Sequence, residues 1–293
     1  MVTLHNKQFE LDGVQWGKAL PVFIEEGGFD PGSAEPRSQE APRPMGDGVM
    51  FGVDYIDPPT WAWTVGLNAT SEEEALELLA PLTTAWRNNA GRAVSGNSIP
   101  LRYNLAGRTR VVYGRPRHIS APKMDTRIDL GYAQCVLDFK CEDHLTYDDD
   151  MDSVVLTLLN TSSSGWAFPT TWPIFTTGSG TRQGVIDVSG DAPTPFTATF
   201  DAPNGLTSPS LVGDGWAFDL DAVIPRGMSV TVDTRLATAV RSDGASLAGA
   251  LSRRSRIGRS RLKGGGQELV FTGTDPSATA RCTVRWRPAH HSL

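Results

Sequence analysis

The chain has 293 residues, of which 39% are hydrophobic and 20% charged, and its formal net charge at pH 7 is -6. These values are typical of a globular protein with room for two domains of about 150 residues each. The excess of acidic residues argues against a general nucleic-acid-binding role, which requires a basic surface. No apolar run approaches the roughly 18 residues that cross a bilayer, and the three cysteines show no metal-ligand spacing.

Strand signals dominate the chain in the form of short apolar or alternating runs separated by glycine, proline, aspartate and asparagine. The chain is therefore predicted to be mainly β. The predicted strands cover residues 49–53, 61–67, 108–113, 132–141, 154–159, 185–188, 216–220, 229–234, 268–272 and 280–287.

An irregular segment at residues 27–47 is rich in proline, glycine, serine and charge, and it interrupts the strand pattern. It predicts an extended loop or arm. A long loop in a compact domain is commonly there to contact something.

One helix is predicted, at about residues 71–86. Ser71 is the expected N-cap, Glu74 completes a capping box, and further acids in the first turn suit the positive end of the helix dipole. The apolar residues follow the spacing of one buried face, and Pro81 is expected to kink or divide the helix. That face comprises Ala75, Leu78, Leu79, Leu82 and Trp86.

The strand predicted at residues 132–141 alternates apolar and polar side chains, which indicates one buried face. Cys135 and Cys141 share that face, but about 20 Å of extended strand separates them, too far for a disulfide or a common metal ion. We therefore interpret the cysteines as buried apolar residues.

The acidic segment at residues 143–152 follows this strand. Asp148, Asp150 and Asp152 match the first ligand positions of a calcium loop, but Ser153 replaces the required glycine and Leu159 the required glutamate. We interpret the segment as a solvated linker between domains at residues 1–150 and 151–293. A bound cation and a catalytic role are the alternatives, in that order.

Two groups of residues in the second half are candidates for binding. The run at residues 252–263 forms a basic loop that suits an acidic neighbour, a phosphate-bearing polymer or another subunit, although a solvated loop is the simpler interpretation. Trp166, Trp172 and Trp216 could stack on sugar rings, but tryptophans in a sandwich more often belong to the core. The cations of the loop are Arg253, Arg254, Arg256, Arg259, Arg261 and Lys263.

Two segments resemble enzyme motifs but do not match them at every position. Residues 244–248 depart from a nucleophile elbow at the last position, and residues 178–184 carry their last glycine one place too late for a dinucleotide loop. The five histidines lack metalloenzyme spacing. We therefore predict no catalytic residue, no metal ligand and no cofactor.

No catalytic or metal-binding motif is complete, so the order of the sequence motifs is the remaining indication of function. GVQW begins at Gly13, a hairpin region ends in TVGLN at residues 64–68, the capped helix follows, and RTRVVYGRPRHI at residues 108–119 precedes the strand at 132–141. This order resembles the distal tail proteins, also called minor tail proteins, of long non-contractile-tailed phages, especially those infecting actinobacteria. The sequences at residues 215–234 and 262–290 are similar to the central and closing strands of that family's galectin-like domain.

The resemblance implies an N-terminal β-sandwich or split-barrel "belt" domain with one α-helix, followed by a galectin-like or jelly-roll β-sandwich. It implies a virion protein made in the host cytoplasm, which forms a ring of six copies between the tail tube protein and the tail-tip proteins. It supplies no catalytic residue. The arm at residues 27–47 suits a contact with the neighbouring copy, and membrane and specific nucleic-acid partners are not expected.

Two other functions remain open at this point. The C-terminal sandwich, acting through Trp166, Trp172 or Trp216, is a candidate carbohydrate-binding module for host cell-wall glycan. A wall-degrading hydrolase would need a carboxylate pair held at about 5 to 10 Å across a cleft, which a flexible acidic linker does not provide.

Overall fold

The computed structural model describes residues 3–88, 92–158, 184–275 and 277–293. The chain divides into two compact units, one made of Met1–Asp149 together with His290–Leu293 and the other of Asp150–Ala289. Both units are built mainly from antiparallel strands, so the predicted β class is confirmed. Within the described ranges, none of the helices has the length and apolar composition that spanning a bilayer demands.

The first unit contains a large antiparallel sheet whose strands follow the order β2-β1-β9-β10-β11-β8-β3, with β12 paired to β10. Its elements up to residue 149 are β1 (Gln8–Leu11), β2 (Val14–Gly17), β3 (Val22–Asp30), β4 (Glu35–Arg37), β5 (Glu40–Pro42), β6 (Val49–Phe51), β7 (Tyr55–Asp57), β8 (Thr60–Asn68), α1 (Glu72–Arg87), β9 (Ile99–Leu105), β10 (Arg108–Ile119), α2 (Thr126–Asp129), β11 (Tyr132–Cys141) and β12 (Thr146–Asp148).

The core of the first unit is an aromatic cluster on the inner face of this sheet. Trp63 on β8 packs edge-on against Trp16 at 5.8 Å and against Trp86 of α1 at 6.0 Å between ring centroids. Phe9 on β1 lies 5.0 Å from Phe29 on β3, so strands far apart in the pairing order meet across the core. The aromatic cluster comprises Phe9, Trp16, Phe29, Trp61, Trp63, Trp86, Tyr103 and Phe139.

Helix α1 begins where the sequence predicts. Ser71 accepts a hydrogen bond from the Glu74 backbone N–H at 3.2 Å. The Glu74 carboxylate bonds back to the N–H and hydroxyl of Thr70, one residue earlier than a capping box requires. The predicted division at Pro81 is wrong, because α1 runs unbroken through this position; Pro81 is exposed, and so is Glu77, whose carbonyl loses its donor to the proline.

The second unit contains a five-stranded sheet in the order β13-β23-β15-β19-β20 and a second sheet in which β16 pairs with β17, β18 and β22; β14 and β21 form a separate pair. The elements are β13 (Asp152–Thr157), β14 (Val185–Val188), β15 (Phe196–Ala202), β16 (Leu206–Gly213), β17 (Trp216–Asp219), β18 (Val223–Ile224), β19 (Met228–Asp233), β20 (Thr238–Arg241), the 3-10 turns Ala248–Ala250 and Ile257–Arg259, β21 (Gly265–Glu268), β22 (Val270–Thr274) and β23 (Arg281–Trp286). The last strand, β24 (Ala289–His290), belongs to the large sheet, where it pairs with β12.

The two sheets of the second unit pack face to face as a β-sandwich. Phe200 on β15 lies 5.7 Å from Phe271 on β22, and Phe196 on β15 lies 5.7 Å from Phe218 on β17. Inner and outer residues alternate along β15, where alternate side chains are buried. The strand predicted at residues 268–272 is in fact two strands, β21 and β22, which are separated by the buried Leu269.

We predict that Trp63→Ala lowers the free energy of unfolding by about 3 to 5 kcal/mol, because it leaves a cavity at the centre of the aromatic cluster. The Trp63 indole N–H is buried without a hydrogen-bond partner. Trp63→Phe should therefore cost clearly less, since it keeps a ring and removes an unpaired donor. Guanidinium unfolding followed by far-ultraviolet circular dichroism measures both changes, and equal losses for the two variants would contradict this account.

Candidate interaction surfaces

A two-step β-ribbon, residues 31–59, leaves the large sheet after β3 and returns to it at β8. Strand β4 pairs with β7, with Pro36 opposite Ile56, and β5 pairs with β6, with Ala41 opposite Met50. The Gly52 N–H donates to the Gln39 carbonyl at 2.7 Å. The predicted arm at residues 27–47 and the predicted strand at residues 49–53 are thus parts of one ribbon, except that residues 27–30 belong to β3.

The base of the β-ribbon is tied to strand β11. The Cys141 N–H donates to the Pro59 carbonyl at 3.1 Å, and Lys140 Nζ donates to the Pro58 carbonyl at 2.5 Å. At the outgoing end, the Gly32 N–H donates to Asp30 Oδ1 at 2.8 Å, and a side chain at Gly32 would collide with the Thr60 carbonyl. Both ends of the ribbon are therefore fixed by the sheet.

The β-ribbon has no core of its own. Every residue of its four strands is exposed, although many of them are apolar. A two-stranded ribbon of this kind is marginally stable in water alone, and contiguous exposed apolar residues mark contact surfaces. The exposed apolar side chains are Met45, Val49, Met50, Phe51, Val53, Tyr55 and Ile56, with Phe51 at 77% and Met45 fully exposed.

The first part of the acidic segment, residues 143–149, is not a solvated linker. Asp143 accepts hydrogen bonds from the Leu145 N–H at 3.1 Å and the Tyr147 hydroxyl at 2.6 Å, and Thr146–Asp148 form strand β12. Asp149 accepts hydrogen bonds from Arg102 Nε and Nη2, the shortest at 2.6 Å. Asp143 and Asp149 thus have separate partners, whereas Asp150 and Asp152 are exposed.

Arg102 joins two acids at the outer side of the large sheet. Its Nη1 donates to Glu10 Oε2 at 2.6 Å, while its other nitrogens bind Asp149. The hydrogen bonds to Asp149 raise the pKa of Arg102 above its ordinary value. The triad ties β1, β9 and the residue after β12 together, so its role is structural.

The C-terminal residues complete the first unit. The Ser292 carbonyl accepts hydrogen bonds from Arg110 Nη1 at 2.6 Å and Thr146 Oγ1 at 2.8 Å. His290 Nε2 lies 3.0 Å from Asp148 Oδ1. The predicted assignment of residues 151–293 to the second domain therefore does not extend to these last four residues, because a buried arginine holds them in the first unit.

The cations of the predicted basic loop fall into two groups, those that contact a partner and those that do not. Arg254 forms hydrogen bonds through Nε and Nη2 to Asp219 at 3.0 and 3.1 Å, Arg261 Nη1 donates to the Thr234 carbonyl at 3.1 Å, and Lys263 Nζ lies 2.7 Å from Asp214 Oδ2. The remaining cations are exposed and have no ion pair among the described residues: Arg253, Arg256 and Arg259.

Trp216 is half-buried and packs against the sandwich core. Its ring lies 4.8 Å from Phe196 and 5.0 Å from Phe218, and it covers Gly213, where any side chain would collide with it. The part of the ring that packs against these residues is not available to a sugar. Trp166 and Trp172 lie outside the described residues.

In the part of the chain that the structure describes, no group of three or more histidine, cysteine, aspartate or glutamate side chains is placed to hold a metal ion. The cysteines are free and buried, as predicted, and burial raises the pKa of the Cys135 thiol to about 11 and that of Cys141 to about 12. Such thiols are inert at neutral pH.

Comparison with known proteins identifies the fold. No protein-family model and no curated protein sequence matches the chain. Among solved structures, the SPP1 Dit protein superposes with a TM-score of 0.60 and 14% sequence identity, over 96% of this chain and 98% of that one. The chain shares the fold of the SPP1 Dit protein.

Two structures of the phage P2 baseplate in its activated conformation, one with Ca and one with Sr, show the same fold with TM-scores of 0.53 and 0.52. In both cases the identity is 12%, and the match covers 95% of this chain and 97% of that one. The resemblance to distal tail proteins, predicted from the order of motifs, is confirmed at the level of the fold across both units.

We predict that Asp149→Asn destabilises the protein by about 1 to 3 kcal/mol, because Arg102 keeps Glu10 but loses the other of its two charged partners in a site that is mostly shielded from solvent. Asp150→Asn is the matched control, since that neighbouring side chain is exposed. Thermal unfolding of both variants measures the difference. Equal stability of the two variants would restore the interpretation of a solvated acidic linker.

Proposed function

We propose that the protein is a structural component of a phage tail tip, where six copies form a closed ring that joins the tail tube to the tip complex. The full-length likeness to the SPP1 Dit protein supports this, since that protein is a paradigm of the hub adsorption apparatus in phages infecting Gram-positive bacteria. The likeness to chains of the P2 baseplate supports it as well. The ring number of six follows from the resemblance to distal tail proteins.

The exposed β-ribbon is the observation that favours assembly most. It presents apolar side chains on a projection that the sheet holds at both ends, and a neighbouring copy would remove them from water. A projection on one face that inserts against a different face of the next copy is a heterologous contact, and such contacts close into rings when the rotation allows it. The ribbon would then gain the packing that it lacks alone.

The remaining assignments follow from this role. The partners are further copies of this chain, the tail tube protein and a tail-tip protein, and the location is the virion after synthesis in the host cytoplasm. The function is structural and not enzymatic. No cofactor is needed.

Carbohydrate binding by the second unit is the alternative. Trp216 gives it limited support, because one part of its ring packs against Phe196 and Phe218. A pull-down of the whole protein on purified host cell-wall glycan tests it. Enrichment that is lost in Trp166→Ala or Trp172→Ala would favour this alternative over a purely structural role.

We predict a ring mass of about 190 kDa by multi-angle light scattering at high protein concentration, six times the 31.6 kDa chain mass. Negative-stain images of that species should show closed rings. If assembly needs the tip complex as a nucleus, the ring forms after addition of the tip protein. Open filaments, or a monomer even with the tip protein present, would contradict the proposal.

We predict that Phe51→Asp raises the protein concentration needed for assembly at least about tenfold, because it places a charge in the apolar contact of the β-ribbon. The monomer should keep its unfolding temperature, since Phe51 is 77% exposed. Met124→Asp is the matched control, an exposed apolar residue outside the ribbon at 68% exposure. Sedimentation velocity over a concentration series compares them, and identical association of the two variants would exclude the ribbon from the contact.

A further inference from the structure

A bulge interrupts strand β3 at the edge of the large sheet. The pairing of β3 with β8 shifts register between Ile24 and Phe29, so that extra residues of β3 stand opposite Thr64. Gly27 adopts a φ of 68°, and a side chain at Gly28 would lie 2.6 Å from the Thr64 carbonyl, so both positions favour glycine. Among the described residues, no strand pairs with the other side of β3. The bulge therefore lies on a free edge.

A groove of about 610 Å³ lies beside this bulge, and we call it the bulge groove. Its volume falls within the roughly 300 to 1,000 Å³ of typical binding pockets. The two glycines of the bulge line it and place no side chain in it. The apolar residues that line the groove are Phe9, Phe23, Ile24, Phe29 and Leu105. The groove thus offers an apolar lining at the surface of the first unit.

The polar residues that line the bulge groove include two lysines. Lys7 and Lys18 are exposed, and neither forms an ion pair among the residues that the structure describes. Of the two acids, Glu25 accepts a hydrogen bond from the Tyr132 hydroxyl at 2.6 Å, and Glu26 is exposed. The groove therefore suits an apolar partner that also carries acidic groups within reach of the lysines.

The β-ribbon has both properties. It carries seven exposed apolar side chains, and the five acidic and two basic residues among residues 31–59 give it a net charge of -3. Phe51 is 77% exposed, so the ribbon does not fill the groove of its own copy. An extended arm of residues 31–44 spans at most about 45 Å, which exceeds the diameter of about 30 Å of a small domain. The ribbon is therefore long enough to contact a neighbouring copy.

The returning arm of the ribbon, residues 49–57, is the part that suits the groove. It holds six of the seven exposed apolar side chains, and Phe51 is the most exposed aromatic residue among them. A bulged edge disfavours continuous pairing with another strand. The contact should therefore consist of side chains inserted into the groove, not of a sheet shared between copies.

We propose that the bulge groove of one copy receives the returning arm of the β-ribbon of a second copy, with Phe51 in the groove. This inference rests on the proposed function and names the surface that the ribbon contacts in the ring. Because ribbon and groove are different surfaces of the same unit, the contact is heterologous. Each bound copy keeps one free ribbon or groove until the ring closes.

Ala19→Trp tests the proposal by placing an indole at the bulge groove. Ala19 lines the groove, is exposed and has a φ of 62°. Ala237→Trp is the matched control, because Ala237 is also exposed, has a φ of 54° and belongs to the second unit. Ala19→Trp should raise the protein concentration needed for assembly at least about tenfold, and the control should change it less than about twofold. Sedimentation velocity measures both, and thermal unfolding verifies that both variants are folded.

Cysteine crosslinking locates the contact without requiring a complete ring. Chains with Phe51→Cys are mixed with affinity-tagged chains that carry Ala19→Cys, and a short bis-maleimide reagent joins thiols that lie close together. The native cysteines are buried and do not compete. Crosslinked dimers of one tagged and one untagged chain should form in this mixture. They should be absent when Met124→Cys, which is exposed outside the ribbon, replaces Phe51→Cys.

The two measurements separate this proposal from the proposed function. A ring that forms equally well with Ala19→Trp, and gives no crosslink between tagged and untagged chains, would overturn the groove contact and leave the structural role intact. A crosslink without any ring would contradict the ring alone. If Ala19→Trp assembles normally but no longer binds the tail-tip protein, the groove belongs to that partner, and the proposal is overturned.

Discussion

The packing of Trp61 and Trp63 fixes strand β8, and the sheet, helix α1 and the β-ribbon all take their positions from that strand. Trp63 contacts Trp16 and Trp86, which brings β2 and α1 onto the inner face of the sheet. Trp61 lies 5.0 Å from Tyr103 on β9 and 5.4 Å from Phe29 on β3. Since β3 and β8 are the two strands that flank the ribbon, the aromatic cluster also sets where the ribbon leaves and re-enters the sheet.

This constraint explains how an exposed apolar ribbon can exist on a folded protein. Its strands lack a core, so the packing that stabilises their position lies below them, in β3, β8 and the end of β11. The stable sheet keeps the ribbon available for a partner without requiring the ribbon to be stable alone. The second unit follows the same principle on a smaller scale, because a loop anchored through Asp219, Ile257 and Leu262 presents three unpaired arginines.

Local patterns predicted the elements that depend on local physics. Residues 132–141 form β11 as predicted, because their alternating apolar residues can be buried together only if they share one face of a strand. Ser71 caps α1 because its hydroxyl accepts a hydrogen bond from the Glu74 backbone N–H in the first turn. The fold class and the likeness to a tail protein could also be predicted, since both depend on the order of strands and turns.

The rest depended on partners distant in the sequence. Asp149 looked solvated because Arg102 lies 47 residues earlier, and the ribbon looked like an irregular arm because none of its strands buries a face. The turn-forming sequence PRPMGDG at residues 42–48, between two short runs, was the available signal for a hairpin tip. The sequence does not show which of the six cations of the basic loop form ion pairs. The fold of the sandwich determines which of them lie next to Asp214 and Asp219.

Hydrogen–deuterium exchange of the β-ribbon amides across the assembly transition reports on the ribbon itself, and so decides whether the ribbon forms the contact between copies. Amides in residues 35–57 should exchange rapidly in the dilute monomer and become protected at concentrations where the ring forms, while those of Thr60–Asn68 stay protected throughout. Equal exchange of the ribbon amides in the monomer and in the assembly would contradict this prediction, because the ribbon would then take no part in the contact between copies.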